Sequence, residues 1–357
     1  MLRILFWEST IRCNLACAHC RRLESNEAEN ADLTTAQAES MIDQLADLGR
    51  SQPQMPVLVF SGGEPLCRED LFDLVGRARD RGLHVALATN GTLIDASKAQ
   101  QIRDSGIARV SISLDGATAD MHDWLRQIPG SFDEAVRGIA HLRDLAVPFQ
   151  VNVTVTKHNA GQMQEVYDLA RSLGAVAVHV FMLVPVGCGR TLAESEVLSP
   201  QEYEGIMRQV ARLEQRGQIQ IKVTCGPHYE RIKRESGLAQ PSGRTAPGAA
   251  RHGGPTRGCL AGLGVLFVSH RGEVFPCGYL PVDCGNILEK SLAEIWTTSE
   301  HLARMCDPSQ LTGKCGACGY KGICGGCRAR AFAATGDYMA EEPFCAFVPK
   351  GAKERTG

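Results

Sequence analysis

The stretch Ile4-Leu5-Phe6-Trp7-Glu8-Ser9-Thr10-Ile11-Arg12-Cys13-Asn14-Leu15-Ala16-Cys17-Ala18-His19-Cys20 joins a short apolar, strand-like run to three cysteines spaced C-x3-C-x2-C. Ordinary ferredoxin sites close every iron with four thiolates. Three thiolates can hold three irons of a [4Fe-4S] cube, which leaves the fourth iron for a ligand from outside. An iron with an exchangeable position is a reaction centre as well as an electron store.

Working outward, residues 4 to about 185 alternate strand-like and helix-like segments, as a parallel α/β architecture requires. Strands are expected over 4–8, 57–61, 84–89, 108–114, 149–156 and 176–183, with helices near 35–49, 68–81, 94–105, 132–146 and 162–173. Thr34 and Gln37 form a capping-box signature for the first helix. Six βα units in this order read as an α/β fold, a partial (β/α)6 TIM-like barrel whose site lies at the C-terminal ends of the strands. Ser199-Pro200-Gln201-Glu202 caps a further helix, expected to run to about Gln215 and to carry the chain away from the barrel. Residues 236–258, rich in Gly, Pro, Ala and Arg, read as a linker. The expected organisation is a barrel over 1–198, a bridging helix and linker over 199–258, and a C-terminal domain over 259–357.

Lys and Arg number 38 against 40 Asp and Glu, giving a net charge of −2. That balance offers no electrostatic reason to propose a nucleic acid or an anionic membrane surface, and favours a small, specific ligand. The most apolar stretch, residues 175–186, is broken by His179 and falls short of the ~20 residues a spanning helix needs. Met1-Leu2-Arg3-Ile4 has none of the regions of a signal peptide, so a cytoplasmic location is expected. In that setting the 15 cysteines point to metal or cluster ligands, not disulfides.

Ser61-Gly62-Gly63-Glu64-Pro65 follows the second strand, and its glycines allow a close backbone approach. Thr89-Asn90-Gly91-Thr92 and Ser111-Ile112-Ser113-Leu114-Asp115-Gly116 end the third and fourth strands. Together with the cysteine loop, these segments resemble the radical S-adenosylmethionine (radical SAM) superfamily, with His19 where the family often has an aromatic residue. The resemblance implies that Cys13, Cys17 and Cys20 hold a [4Fe-4S] cluster whose open iron binds SAM. Cleavage of SAM there would give a 5′-deoxyadenosyl radical. It further implies that Gly62, Gly63, Glu64 and Pro65 meet the SAM amino group, and that Asn90, Ser113 and Asp115 line its pocket. Asn152, Thr154 and Thr156 share one face of the fifth strand by its period of two. They either face the pocket or fill the barrel interior. Arg126 is a candidate partner for a carboxylate, with a surface position as the alternative.

Towards the C-terminus come Cys259, Gly272-x4-Cys277, Cys315-x2-Cys318-x5-Cys324-x2-Cys327 and Cys345. Zinc sites use C-x2-C pairs some 12–20 residues apart, whereas five residues separate these pairs. The pattern resembles the SPASM domain, a radical SAM extension carrying two auxiliary [4Fe-4S] clusters, although the family usually has three residues where Cys324 and Cys327 enclose two. The resemblance assigns Cys315, Cys318, Cys324 and Cys345 to an outer cluster, and Cys259, Cys277 and Cys327 to an inner one. For the fourth inner position Val265 stands where relatives carry a cysteine, leaving Cys284 or a site open to substrate. Cys67, Cys188, Cys225 and Cys306 read as buried small hydrophobes.

Longer stretches, among them Ser269-His270-Arg271-Gly272, Cys277-Gly278-Tyr279-Leu280, Cys324-Gly325-Gly326-Cys327-Arg328-Ala329-Arg330 and Glu341-Glu342-Pro343-Phe344-Cys345, resemble the haem b synthases of the siroheme-dependent haem pathway. That family oxidatively decarboxylates two propionates of Fe-coproporphyrin III to vinyl groups. The resemblance implies a small-molecule tetrapyrrole substrate and a low-potential electron donor such as flavodoxin or ferredoxin. Arg257, Arg271, Arg328 and Arg330 are candidate contacts for its carboxylates, and His228 and His270 candidate ligands of its iron. Decarboxylation of a siroheme-derived tetrapyrrole, radical SAM peptide modification and a non-catalytic cluster scaffold are the alternatives.

Overall fold

The computed structural model describes residues 1–21, 32–237 and 258–350. Its centre is a nine-stranded sheet in the order β7-β6-β5-β4-β3-β2-β1-β8-β9, parallel except for β9. The strands are β1 Ile4–Glu8, β2 Val57–Ser61, β3 His84–Thr89, β4 Arg109–Ser113, β5 Phe149–Val155, β6 Ala177–Met182, β7 Gln220–Thr224, β8 Val265–Val268 and β9 Val274–Phe275. Between them run α1 Thr35–Arg50, α2 Leu71–Asp80, α3 Ala96–Asp104, α4 Ala119–Arg126, α5 Ser131–Asp144, α6 Met163–Leu173, α7 Gly189–Glu196, α8 Pro200–Gln215 and α9 Tyr229–Glu235. Four short helices follow: α10 Leu292–Thr298, α11 Glu300–Cys306, α12 Gly313–Ala317 and α13 Arg328–Thr335.

The expected capping box is present, the Thr34 hydroxyl accepting from the Gln37 amide while the Gln37 side chain reaches back. Each strand turns alternate side chains to the helices. Leu5 and Trp7 of β1 are fully buried while Ile4 and Phe6 are half-buried on the opposite, concave face. The buried set joins Met41, Ile42 and Leu45 of α1, Leu74 and Val75 of α2, Ile139 and Leu142 of α5, and Val166 and Tyr167 of α6 in one core.

The six expected strands form in the expected order, and the sheet, which does not close, runs beyond them at both edges. The helix opened by Ser199 does not leave the barrel. Tyr203, Met207, Val210 and Leu213 of α8 join the core, and the chain returns as β7, parallel to β6 with Val178 opposite Ile221. At the other edge β8 pairs with β1, Ile4 opposite Val265 and Trp7 opposite Val268. The C-terminal region therefore joins the central sheet through backbone hydrogen bonds. A second, smaller core joins it to the end of β6, with Val184 and Val186 packed among Leu280, Val282, Met305, Cys327 and Met339. Among the described residues no helix is long and apolar enough to cross a membrane.

Candidate functional site

At the end of β1 the cysteine loop continues the ladder onto β2. Ser9 N–H donates to the Ser61 carbonyl at 2.8 Å, Gly63 N–H to Thr10 at 2.8 Å and Glu64 N–H to Arg12 at 2.8 Å. A Cβ on Gly63 would stand 2.4 Å from the Arg12 carbonyl oxygen, and one on Gly62 2.5 Å from that of Thr10. The close approach expected of these glycines is therefore made to the cysteine loop itself. Pro65 starts a buried single turn over Pro65–Cys67.

Glu64 is fully buried, and its carboxylate accepts from Leu66 N–H, the Thr89 hydroxyl at 2.7 Å and Asn90 N–H at 2.8 Å. Its carboxylate clamps the ends of β2 and β3 together. Burial raises its pKa against those hydrogen bonds. Asn90 donates to Asn14 at 2.8 Å, and Asn14 donates to the Thr92 hydroxyl at 2.8 Å, tying the cysteine loop to β3. Cys13, Cys17 and Cys20 are half-buried. Burial first, then the nearby charges of Glu64, Cys17 and Cys20, push the Cys13 thiol up to about 11.

Arg126 is buried, against the surface alternative. It lies between Asp115, 2.6 Å from its Nη2, and Cys17, whose sulfur its Nη1 meets at 3.5 Å. Asp115 is fully buried and also accepts from Thr154 N–H at 2.7 Å. Asp115 thus anchors Arg126 beside the cysteine loop. His19 Nε2 stands 3.8 Å from the same carboxylate, and burial holds its pKa down to about 4.

The concave face of β4–β7 is polar. The sheet register sets Ser113 beside Asn152, Asn152 beside His179 and His179 beside Lys222. Gln150 donates to Asn152 at 2.8 Å, and Thr154 lies on the same half-buried face. Thr156 does not: it lies beyond β5, fully buried, its N–H bonded to Asn159. Burial and the nearby Arg109 cation lower the Lys222 pKa, and burial with Lys222 lowers that of His179 to about 3. Among the described residues neither Arg109 nor Lys222 has a carboxylate within ion-pair distance.

In the C-terminal region Cys315, Cys318, Cys324 and Cys345 line one cavity with His228, Arg231, Gly325 and Gly326. His228 is 1% exposed and both its ring nitrogens lack a hydrogen-bond partner, an arrangement that suits a cofactor with acceptor atoms against the ring. Nearby, Cys277 feels the charges of Cys259 and Cys327 and is pushed up to about 12, chiefly by burial. Cys284 is turned elsewhere, its sulfur 3.6 Å from the Val282 carbonyl and beside Ser299, which corrects its expected place in that group. Among the described residues no three His, Cys, Asp or Glu side chains converge on a single-ion site. Arg328, buried, donates to the carbonyls of Tyr338 and Ala340, and the fully buried Arg330 pairs with Glu342. His270 is held by Glu8 at 2.9 Å, Arg271 is paired with Glu273 at the surface, and Arg257 lies outside the described residues.

Residues 7–170 match the Radical SAM superfamily, and residues 259–328 the SPASM domain, described as an iron-sulfur cluster-binding domain. A Methanosarcina barkeri protein named AdoMet-dependent heme synthase is 46% identical over 97% of this chain and 97% of its own. The chain belongs to the radical SAM superfamily. This radical SAM enzyme uses SAM and [4Fe-4S] clusters. A second M. barkeri protein, named Fe-coproporphyrin III synthase, is 29% identical over 96% of this chain and 87% of its own. The fold is shared with Streptococcus suis SuiB in its structure bound to S-adenosylmethionine, with a TM-score of 0.71, 17% identity and coverage of 97% of this chain and 77% of that one.

Within the radical SAM core, sequence reasoning missed α4, which delivers Arg126, and β7, which delivers Lys222. The first buries His122 and Arg126 along with Leu125, so no apolar stripe marks it. The second does carry a signal, the alternation of Ile221 and Val223 around Lys222.

Proposed function

We propose that the protein oxidatively decarboxylates two propionate side chains of Fe-coproporphyrin III to vinyl groups, giving haem b. The observation that carries this reading is the end-to-end 46% identity to a protein named AdoMet-dependent heme synthase, well above the 29% to one named Fe-coproporphyrin III synthase. Cys13, Cys17 and Cys20 hold the SAM-binding cluster, with the Gly62–Pro65 segment, Asn90, Ser113 and Asn152 around the nucleoside. Cys259, Cys277 and Cys327 hold an inner auxiliary cluster, and Cys315, Cys318, Cys324 and Cys345 an outer one. The radical SAM unit then extends past residue 198 to take in α8 and β7, and the region from 259 onward forms the auxiliary-cluster unit, acting in the cytoplasm.

Cluster and SAM together supply a 5′-deoxyadenosyl radical that abstracts a hydrogen atom, with the initiating electron from a flavodoxin or ferredoxin. Each propionate that becomes a vinyl group loses one hydrogen atom, one carbon dioxide and one electron, so an acceptor is required, and the C-terminal cysteines provide its site. The chain's own share is to bind and orient the porphyrin. Lys222, beside His179 on the face that carries Ser113 and Asn152 and without a carboxylate partner among the described residues, is our candidate propionate contact, in the role first expected of Arg328 and Arg330.

The test is anaerobic incubation with SAM, a reductant and Fe-coproporphyrin III, followed by mass spectrometry. Loss of two carboxyl groups is the expected result. An unchanged porphyrin together with turnover of a siroheme-derived tetrapyrrole would replace this reading with that of the related decarboxylase.

A further inference from the structure

We propose that Cys225 is the fourth ligand of the inner auxiliary cluster, presupposing that Cys259, Cys277 and Cys327 hold that cluster. Cys225 directly follows β7. Its thiol hydrogen-bonds that of Cys327 and lies within electrostatic reach of Cys277, while Cys327 in turn acts on Cys259. Cys225 and Cys277 pack against the small core that contains Cys327.

Two features set Cys225 apart from a packing residue. Its φ is +56°, in the left-handed region that residues with a Cβ avoid unless the surroundings impose it. And one buried network grips both it and Cys327. The Tyr203 hydroxyl donates to the Cys225 carbonyl at 3.1 Å, Arg330 donates to Tyr203 at 2.5 Å and to Glu342 at 2.9 Å, and Glu342 accepts Cys327 N–H at 2.7 Å. The Arg330 at the centre of this network is fully buried. With four thiolates the inner cluster has no iron open to substrate and acts as an electron relay.

The test uses the full-length protein, anaerobically reconstituted, with Cys13, Cys17 and Cys20 replaced by alanine so that only auxiliary clusters contribute. In this background Cys225→Ala should lose one of the two reduced-cluster electron paramagnetic resonance signals, or convert it to a three-iron signal, with a fall in bound iron. Cys225→Ser, which keeps the side-chain volume, should shift the reduction potential of that cluster and leave the other unchanged. Cys284→Ala should match the parent. Parent-like spectra and iron content in both Cys225 variants would overturn the proposal. If Cys225→Ala does not fold, the serine variant decides. Cys259→Ala separates the two levels: loss of the inner signal there beside parent-like Cys225 variants defeats only the fourth ligand, whereas a parent-like Cys259→Ala protein defeats the inner site itself.

Discussion

Arg126 shows how much of the reaction centre depends on side chains that need not touch a ligand. Asp115 and Arg126 are a buried pair, and removing one partner of such a pair leaves an uncompensated charge, at a cost of about 3–5 kcal/mol. Arg126→Gln should therefore lower the unfolding free energy by that order, and the double variant with Asp115→Asn should recover much of it in a denaturant-melt cycle. If the double variant is no more stable than Arg126→Gln alone, the pair is not what holds this corner. The sequence named Asp115, Arg126 and His19 but could not pair them. They come from the end of β4, from α4 and from the cysteine loop, and only the fold brings the three together.

Between elements, the decisive joint is the end of β2 against the cysteine loop. Alanine at Gly63 would drive a methyl group onto the Arg12 backbone, with no flexible side chain to yield. Overpacking typically costs about 1–3 kcal/mol, so Gly63→Ala should show reduced iron loading at the N-terminal site and slower SAM cleavage to 5′-deoxyadenosine. Wild-type loading and cleavage rates would show that the loop adjusts freely. Six strands and their order were legible because each combines β-branched or apolar residues with a turn signal at its end. β7 and β8 were less so, because β7 offers only the short alternation of Ile221 and Val223 around Lys222 and β8 has only four residues. The cysteines proposed to hold clusters stand out by their spacing, whereas Cys225 stands alone in sequence and becomes informative only beside Cys327.

At the scale of the whole molecule, Glu8 links the two halves. It binds Arg21 of the cysteine loop at 3.1 Å and His270, just beyond β8, at 2.9 Å, while Arg21 also lies 4.2 Å over the Phe267 ring. Burial acts to raise the Glu8 pKa, but Arg21 and His270 outweigh it and bring the group from its ordinary 4.5 to about 2. A carboxylate depressed in this way stabilises the folded chain fully above pH 4.5, and that contribution is lost as the pH falls towards 2. At ~1.4 kcal/mol per pKa unit the contribution is at most about 3 kcal/mol. Glu8→Gln should therefore be less stable than the parent in urea near neutrality, with the gap narrowing as the solution is acidified. A gap that stays constant with pH would mean that the charge of Glu8 is not the linking element.

The β1–β8 ladder also bears on how the chain is made. Translation delivers β1 first, yet its partner at Val265–Val268 leaves the ribosome only after most of the remaining chain. Until then one flank of the strand that launches the cysteine loop offers unpaired N–H and C=O groups, a template for pairing with the wrong neighbour. Completion of the strand that launches that loop is thereby tied to near-complete synthesis, and a shortened chain ending before β8 should accumulate as aggregate and not as a smaller working enzyme.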